Sequence, residues 1–250
     1  QKNYYLCVMN LSTQIQKQIK RFPEGKTFGY PDLDISREDF QSTAKILERL
    51  QGKGLIKKMS NGVFYKPIKT AFGELKPDYN EQLRPFLYEN GKRIAYVTGT
   101  YLYNQMGLTT QLAVRVKIAS RSKRININRG ALKADAVKSY AEVTENNYAL
   151  LGFLDAIKDI RKIPDTTVQN SVKILSAKIA EMDEKEIVRL IKYALLYPPR
   201  VRALLGAILD DLSKPENITM PLLNSINPLT KIDLGLNDVD LSTVEKWNIV

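Results

Sequence analysis

Residues 36–67 read SREDFQSTAKILERLQGKGLIKKMSNGVFYKP, and the reading of the whole front of the chain turns on their punctuation. Ser36 is placed as a helix N-cap, with Glu38 and Asp39 in the first turn, where the positive end of the helix dipole favours acids. Phe40, Ala44, Leu47 and Leu50 then form an inward helical stripe. Gly52-Lys53-Gly54 ends the helix and Leu55-Ile56 begins a strand. Asn61-Gly62 predicts a type I′ hairpin turn, because both central positions of that turn need positive φ. Val63-Phe64-Tyr65 returns as the second strand, and Pro67 closes it.

The residues before this stretch complete a pattern. An apolar cluster at residues 4–9 leads to Asn10 or Ser12 as a cap for a helix with Ile15, Ile19 and Phe22 on one face. Phe22-Pro23-Glu24-Gly25 breaks it. Residues 26–35, KTFGYPDLDI, predict a strand-like entry and a brief helix. Asp32 and Asp34 alone bring too few oxygens for a metal site and read as a turn or cap. Helix, short helix, helix and two-stranded wing together predict a winged helix-turn-helix over residues 1–70. In such a fold the third helix enters the major groove of duplex DNA. Arg37 would pair with guanine and Gln41 with adenine, Ser42 would permit close approach, and Lys45 shares that face. Lys57, Lys58 and Asn61 on the wing would meet phosphate oxygens, which contribute salt-dependent affinity rather than sequence choice.

Charge agrees with a polyanion partner for the front of the chain. The net charge is +11 over 250 residues. Residues 1–70 carry 13 Lys and Arg against 6 Asp and Glu, residues 71–165 carry 15 against 10, and residues 166–250 carry 10 against 11. A solubilising lysine-rich surface would produce the same balance. One cysteine, Cys7, and no histidine exclude an intrachain disulfide, Ser-His-Asp and Cys-His catalysis, and zinc sites built on histidine or four cysteines. The charge-free run 94–114 is too polar for a lipid-facing helix. These features predict a cytoplasmic protein with no membrane segment and no cofactor.

Residues 71–250 predict a larger mixed α/β domain ending in a helical, bundle-like region, so the fold class is α+β. Residues 71–78 read as a linker, and 79–91 as a helix closed by Gly91. A buried strand follows at 94–97, then Thr98-Gly99-Thr100 leading into a helix to Met106. Leu112, Val114, Val116 and Ile118 alternate with Arg115 and Lys117 as a half-buried strand. Residues 121–130, RSKRININRG, read as a hairpin arm. Its cations Arg121, Lys123, Arg124 and Arg129 form either a second nucleic-acid contact or a charged edge strand guarded against aggregation. Helices are expected at 147–162, 168–182, 184–197 and 199–212, the third capped by Asp183. The apolar tail 213–250, with Trp247, should pack on its own domain or on a partner.

Several separated pieces resemble one family: Gly62-Val63-Phe64-Tyr65; Val97-Thr98-Gly99 with residues 105–111, QMGLTTQ; residues 122–127, SKRINI; and residues 197–207, YPPRVRALLGA. In this order they resemble the AbiEi-like antitoxins of type IV toxin–antitoxin systems, in particular shorter relatives with an N-terminal winged helix. The resemblance implies a repressor of its own operon whose larger domain neutralises a nucleotidyltransferase-like toxin without necessarily contacting it. It implies no enzymatic activity. A palindromic operator would imply a homodimer. Gly99, Gly107 and Gly206 read as a turn, a helix end and a close helix contact.

Two other readings come from different classes. Thr98-Gly99-Thr100 at a strand-to-helix turn would cradle a phosphate in a nucleotide-handling enzyme. Two-metal chemistry, however, needs carboxylates nearby, and the Asp-x-Asp pair at Asp238 and Asp240 is far along the chain. A module for RNA or protein interaction would use the arm at 121–129.

Overall fold

The computed structural model describes residues 10–71, 73–130 and 132–250. The apolar cluster at 4–9, with Cys7, and Phe72 of the expected linker lie outside the described residues. The chain forms two compact units, divided between Lys92 and Arg93.

The first unit begins with α1 (Leu11–Arg21), where the Asn10 side chain accepts from the Ser12 N–H at 3.1 Å, and Ile15 and Ile19 are buried. β1 (Thr27–Gly29) and a single 3-10 turn (Tyr30–Asp32) precede α2 (Phe40–Gly52). β2 (Lys57–Ser60) and β3 (Val63–Tyr65) follow, and the three strands pair antiparallel in the order β1-β3-β2. Between α1, α2 and this sheet lies one core of Ile15, Ile19, Phe28, Leu33, Ile46, Leu47, Leu50, Ile56 and Phe64.

Three local expectations change here. α2 starts at Phe40 rather than at Ser36, whose hydroxyl instead donates to Asp39 at 2.8 Å in the preceding turn. With that start, the inward stripe is Thr43, Ile46, Leu47 and Leu50, while Phe40 is 50% exposed. The Phe40 ring stacks on Tyr30 with centroids 4.3 Å apart, which holds it at the rim of the core. The Asn61-Gly62 turn is not type I′, since only Gly62 has positive φ (+71°), and the ladder shifts register between Lys58 and Ser60 to absorb the difference.

The unit continues past residue 70, the boundary expected from sequence. β4 (Ile68–Thr70) and β5 (Gly73–Leu75) make a hairpin where a linker was expected. α3 (Tyr79–Leu87), capped by the Asp78 side chain, then clamps the outer edge of β1. Glu81 accepts from the Thr27 N–H at 2.9 Å, and Arg84 donates to the Thr27 carbonyl at 3.1 Å. These bonds satisfy edge groups that would otherwise stay unpaired, which ties residues 79–87 to this unit. β6 (Tyr88–Glu89) and β7 (Lys92–Arg93) are joined by Asn90-Gly91 with φ of +49° and +73°. Gly91 therefore closes a hairpin rather than capping the helix, and this pair meets the type I′ requirement.

The second unit starts with β8 (Ala95–Thr98), α4 (Thr100–Gln105), β9 (Val116–Ser120), β10 (Ile127–Arg129) and β11 (Leu132–Lys138). They form a mixed sheet in the order β10-β11-β9-β8, with β9 and β11 parallel and the outer pairs antiparallel. Leu112 and Val114 are 80% and 81% exposed and precede the strand, so the alternating segment is β-structure only from Val116.

Helices α5 (Tyr148–Lys158), α6 (Val168–Ala180), α7 (Glu184–Ala194), α8 (Pro199–Asp211) and α9 (Glu216–Asn224) complete the unit. Asp183 caps α7 in a box with Glu186, as expected from its position. α9 lies in the expected tail, and Leu222, Ile226, Leu234, Leu241, Val244 and Trp247 are buried in the same core as α5–α8. The apolar tail thus packs on its own unit. Among the described residues, no helix is long and apolar enough to cross a membrane.

Candidate nucleic-acid interface

Because the stripe Thr43, Ile46, Leu47 and Leu50 points inward, Gln41, Ser42 and Lys45 are left exposed on α2. Arg37 is also exposed, but it stands in the turn before the helix, next to Glu38. The aromatic pair Tyr30 and Phe40 adds an exposed apolar surface at the helix start, where the sequence placed Phe40 in the core.

On the hairpin, Lys57 and Lys58 are exposed and opposite Tyr65 and Phe64 respectively. Directly opposed residues share a sheet face, so successive lysines serve opposite faces rather than one surface. Lys57 is ion-paired with Glu74 on β5. That bond and its charge raise the Lys57 ammonium above its ordinary value and lower the Glu74 carboxyl. Lys58 has no ion-pair partner among the described residues. Asn61 is exposed in the turn. Asp32 acts as a local cap, accepting from the Gly29 N–H at 2.8 Å. No group of three or more metal-ligating side chains occurs among the described residues.

The basic arm of the second unit divides. The chain leaving β9 at Ser120 passes alongside the last residues of β11, where Lys138 is the register partner of Ser120. Ser120–Arg124 and Ala136–Lys138 line a cleft of about 350 Å³. Arg121, Lys123 and Arg124 meet there with Lys138, which the sequence reading did not single out. Arg129 pairs with Leu132 at the other end of β11, about 20 Å away at the usual strand rise. A strand-end lysine is a weak signal in sequence, and only the parallel pairing of β9 with β11 brings it to the arm.

The Thr98-Gly99-Thr100 turn has a different role. Asp155 on α5 accepts from Tyr96 Oη and Thr98 Oγ1, both at 2.9 Å, and from Lys158 Nζ at 2.9 Å. Tyr197 Oη reaches the same carboxylate at 3.4 Å. Burial, then the negative charge of Asp155, pushes the Tyr96 and Tyr197 hydroxyls far above the ordinary phenol value, so they remain donors. Burial and then Asp159 do the same for Tyr103. Burial disfavours the Lys158 ammonium, but the charge and hydrogen bond of Asp155 outweigh it, and its value rises. The Thr98 hydroxyl is therefore committed to a carboxylate, and the Lys117 stem lies over Gly99, 2.9 Å from where a Cβ would sit. Asp155 was missed in the sequence, although it is the single acid in the otherwise apolar run 148–157.

Together these features define an α+β protein of two units with an exposed polar helix face, a lysine-bearing hairpin and a separate basic cleft. The chain belongs to DUF6088, a family of unknown function, whose model matches residues 14–192. That span runs from α1 to α7 and stops before α8. The chain is also similar to the solved structure of the RV2827C protein from Mycobacterium tuberculosis, at 13% identity and a TM-score of 0.47, over 87% of this chain and 81% of that one. No curated protein matches the sequence.

Proposed function

We infer that the protein is a DNA-binding transcriptional regulator that serves as the antitoxin and autorepressor of a type IV toxin–antitoxin system. The first unit acts as a winged helix. The observation that carries this reading is the order α1-β1-α2-β2-β3 with a three-stranded antiparallel sheet, which leaves Gln41, Ser42 and Lys45 on the outer face of α2. α2 is the reading helix; Gln41 contacts base edges from its N-terminal end and Arg37 from the turn before it. Lys58 and Asn61 take phosphates, and Lys57 contributes less because Glu74 neutralises it. The DNA is the operator of its own operon. The larger unit neutralises a nucleotidyltransferase-like toxin, without a stable complex being required. The protein acts without catalysis or a cofactor, and a palindromic operator would be bound by a homodimer. The family resemblance supports the antitoxin role, and the basic front of the chain supports the DNA partner.

The test is fluorescence anisotropy with the duplex upstream of its own gene, titrated at several salt concentrations. Lys58→Ala should reduce the salt slope by about 0.9, the value of one phosphate contact. Arg37→Ala should cost about 1–3 kcal/mol on the operator and much less on unrelated duplex. If neither substitution changes affinity, slope or discrimination, the assignment is wrong.

A further inference from the structure

We propose that the cleft at the carboxyl ends of β9 and β11, in the second unit, is a phosphate-binding site. Its charge is one-sided. Arg121, Lys123, Arg124 and Lys138 line it, and among the described residues no carboxylate does. Cations gathered around one small volume, Arg124 and Lys138 above all, repel each other, and an anion relieves that repulsion while an apolar ligand does not. Arg124 and Lys138 have no ion-pair partner among the described residues. Glu142 lies 3.9 Å from the Arg121 guanidinium and is not among the residues that line the cleft.

The walls are held in place without a ligand. Ser120 Oγ donates to the Ile94 carbonyl at 2.7 Å and accepts from the Lys123 N–H at 3.3 Å. Arg121 donates to the Tyr140 carbonyl at 3.2 Å. At the other end of the arm, Asn126 Oδ1 accepts from the Ala136 N–H at 2.9 Å, which spans the gap where the β10 ladder has stopped. Between this bond and Ser120, the arm and the last residues of β11 enclose a crevice. In open α/β sheets ligands seat outside the carboxyl ends of parallel strands, and this crevice lies at the carboxyl ends of the parallel pair β9 and β11. Ser122 adds a hydroxyl at the rim. A volume near 350 Å³ accommodates one or two phosphoryl groups.

The phosphate has two possible sources: a free phosphoryl compound, or the backbone of a nucleic acid passing over the second unit. Full-length protein should be titrated calorimetrically at low salt with inorganic pyrophosphate and, in parallel, with a 20-base-pair duplex lacking the operator. The variants are Arg124→Gln/Lys138→Gln and, as a control, Lys58→Ala. Both sites are exposed, and unchanged thermal melting establishes that the variants fold. The free-phosphoryl form is supported if pyrophosphate binds and the double variant weakens it roughly tenfold or more while Lys58→Ala does not. The nucleic-acid form is supported if pyrophosphate binds weakly or not at all, but the double variant lowers the duplex salt slope by about 1.8, twice the single-phosphate value. The proposal is overturned if the double variant changes neither ligand. Failure of Arg37→Ala and Lys58→Ala on the operator would sink the winged-helix reading alone and leave this cleft untouched.

Discussion

Asp155 is 2% exposed in the middle of a helix, and its carboxylate gathers donors from β8, α5 and the residues before α8. A buried acid is tolerated only when its lone pairs and charge are met, and here two hydroxyls and one ammonium meet them at 2.9 Å. Asp155→Asn would remove the carboxylate that is hydrogen-bonded to Lys158 and turn an N–H₂ toward hydroxyl donors. It should destabilise the protein by about 3 kcal/mol in urea unfolding, within the range for breaking a buried pair. A loss below about 1 kcal/mol would show that the network contributes little. In the sequence, Thr98 beside Gly99 suggested a phosphate cradle because a hydroxyl next to a glycine at a helix start fits that role. What the hydroxyl faces is decided by a residue 57 positions away, and no local pattern records that distance.

At the scale of elements, α8 and the tail depend on a single missing side chain. Gly206 lies on α8, and a Cβ built there would stand 2.1–2.4 Å from the Trp247 ring, well inside contact distance. The ring is fully buried, so it has nowhere to retreat. Gly206→Ala should therefore lower stability by about 1–3 kcal/mol despite the better helix propensity of alanine, as overpacked cores do. Thermal or urea denaturation decides it, and a stabilised variant would mean that the tail does not close on α8 in solution. The reading of Gly206 as a close helix contact was available from its place in an apolar helical run. Its partner was not, because Trp247 lies beyond α9 at the end of a stretch of irregular chain. α2 shows the complementary case. Its existence was plain from periodicity, but its start moved to Phe40 because the Ser36–Asp39 turn satisfies its own groups, and the inward face carries Thr43 and Ile46 where Phe40 and Ala44 were expected.

For the molecule as a whole, Asp210 links α8 to the end of the chain, and it makes the stability depend on pH. It accepts from Trp247 Nε1 at 2.9 Å and pairs with Lys246 at 2.8 Å. Burial alone would raise its carboxyl, but the bonds from Lys246, Thr219 and Trp247 outweigh that and hold it below the ordinary 3.8. A group with a lowered folded value adds stability above its unfolded value and loses it as pH falls through the folded one. The contribution is therefore complete above about pH 5 and is lost as pH falls through the folded value. Asp210→Asn should flatten the fall in stability below pH 4 relative to the wild type, read from urea unfolding at a series of pH values. An unchanged acid limb would remove Asp210 from the account. Sequence alone determined the α+β class, the helices from 148 to 211 and the hairpin after α2, since periodicity, caps and Gly or Pro breaks act within a few residues. Tertiary structure decided what distant segments do to each other. α3 clamps β1 and carries the first unit to Lys92, the parallel pairing of β9 with β11 delivers Lys138 to the basic arm, and Asp155 claims the hydroxyl of Thr98. Each of these joins residues whose chemistry is visible in the sequence but whose proximity is set only by how sheets and helices pack.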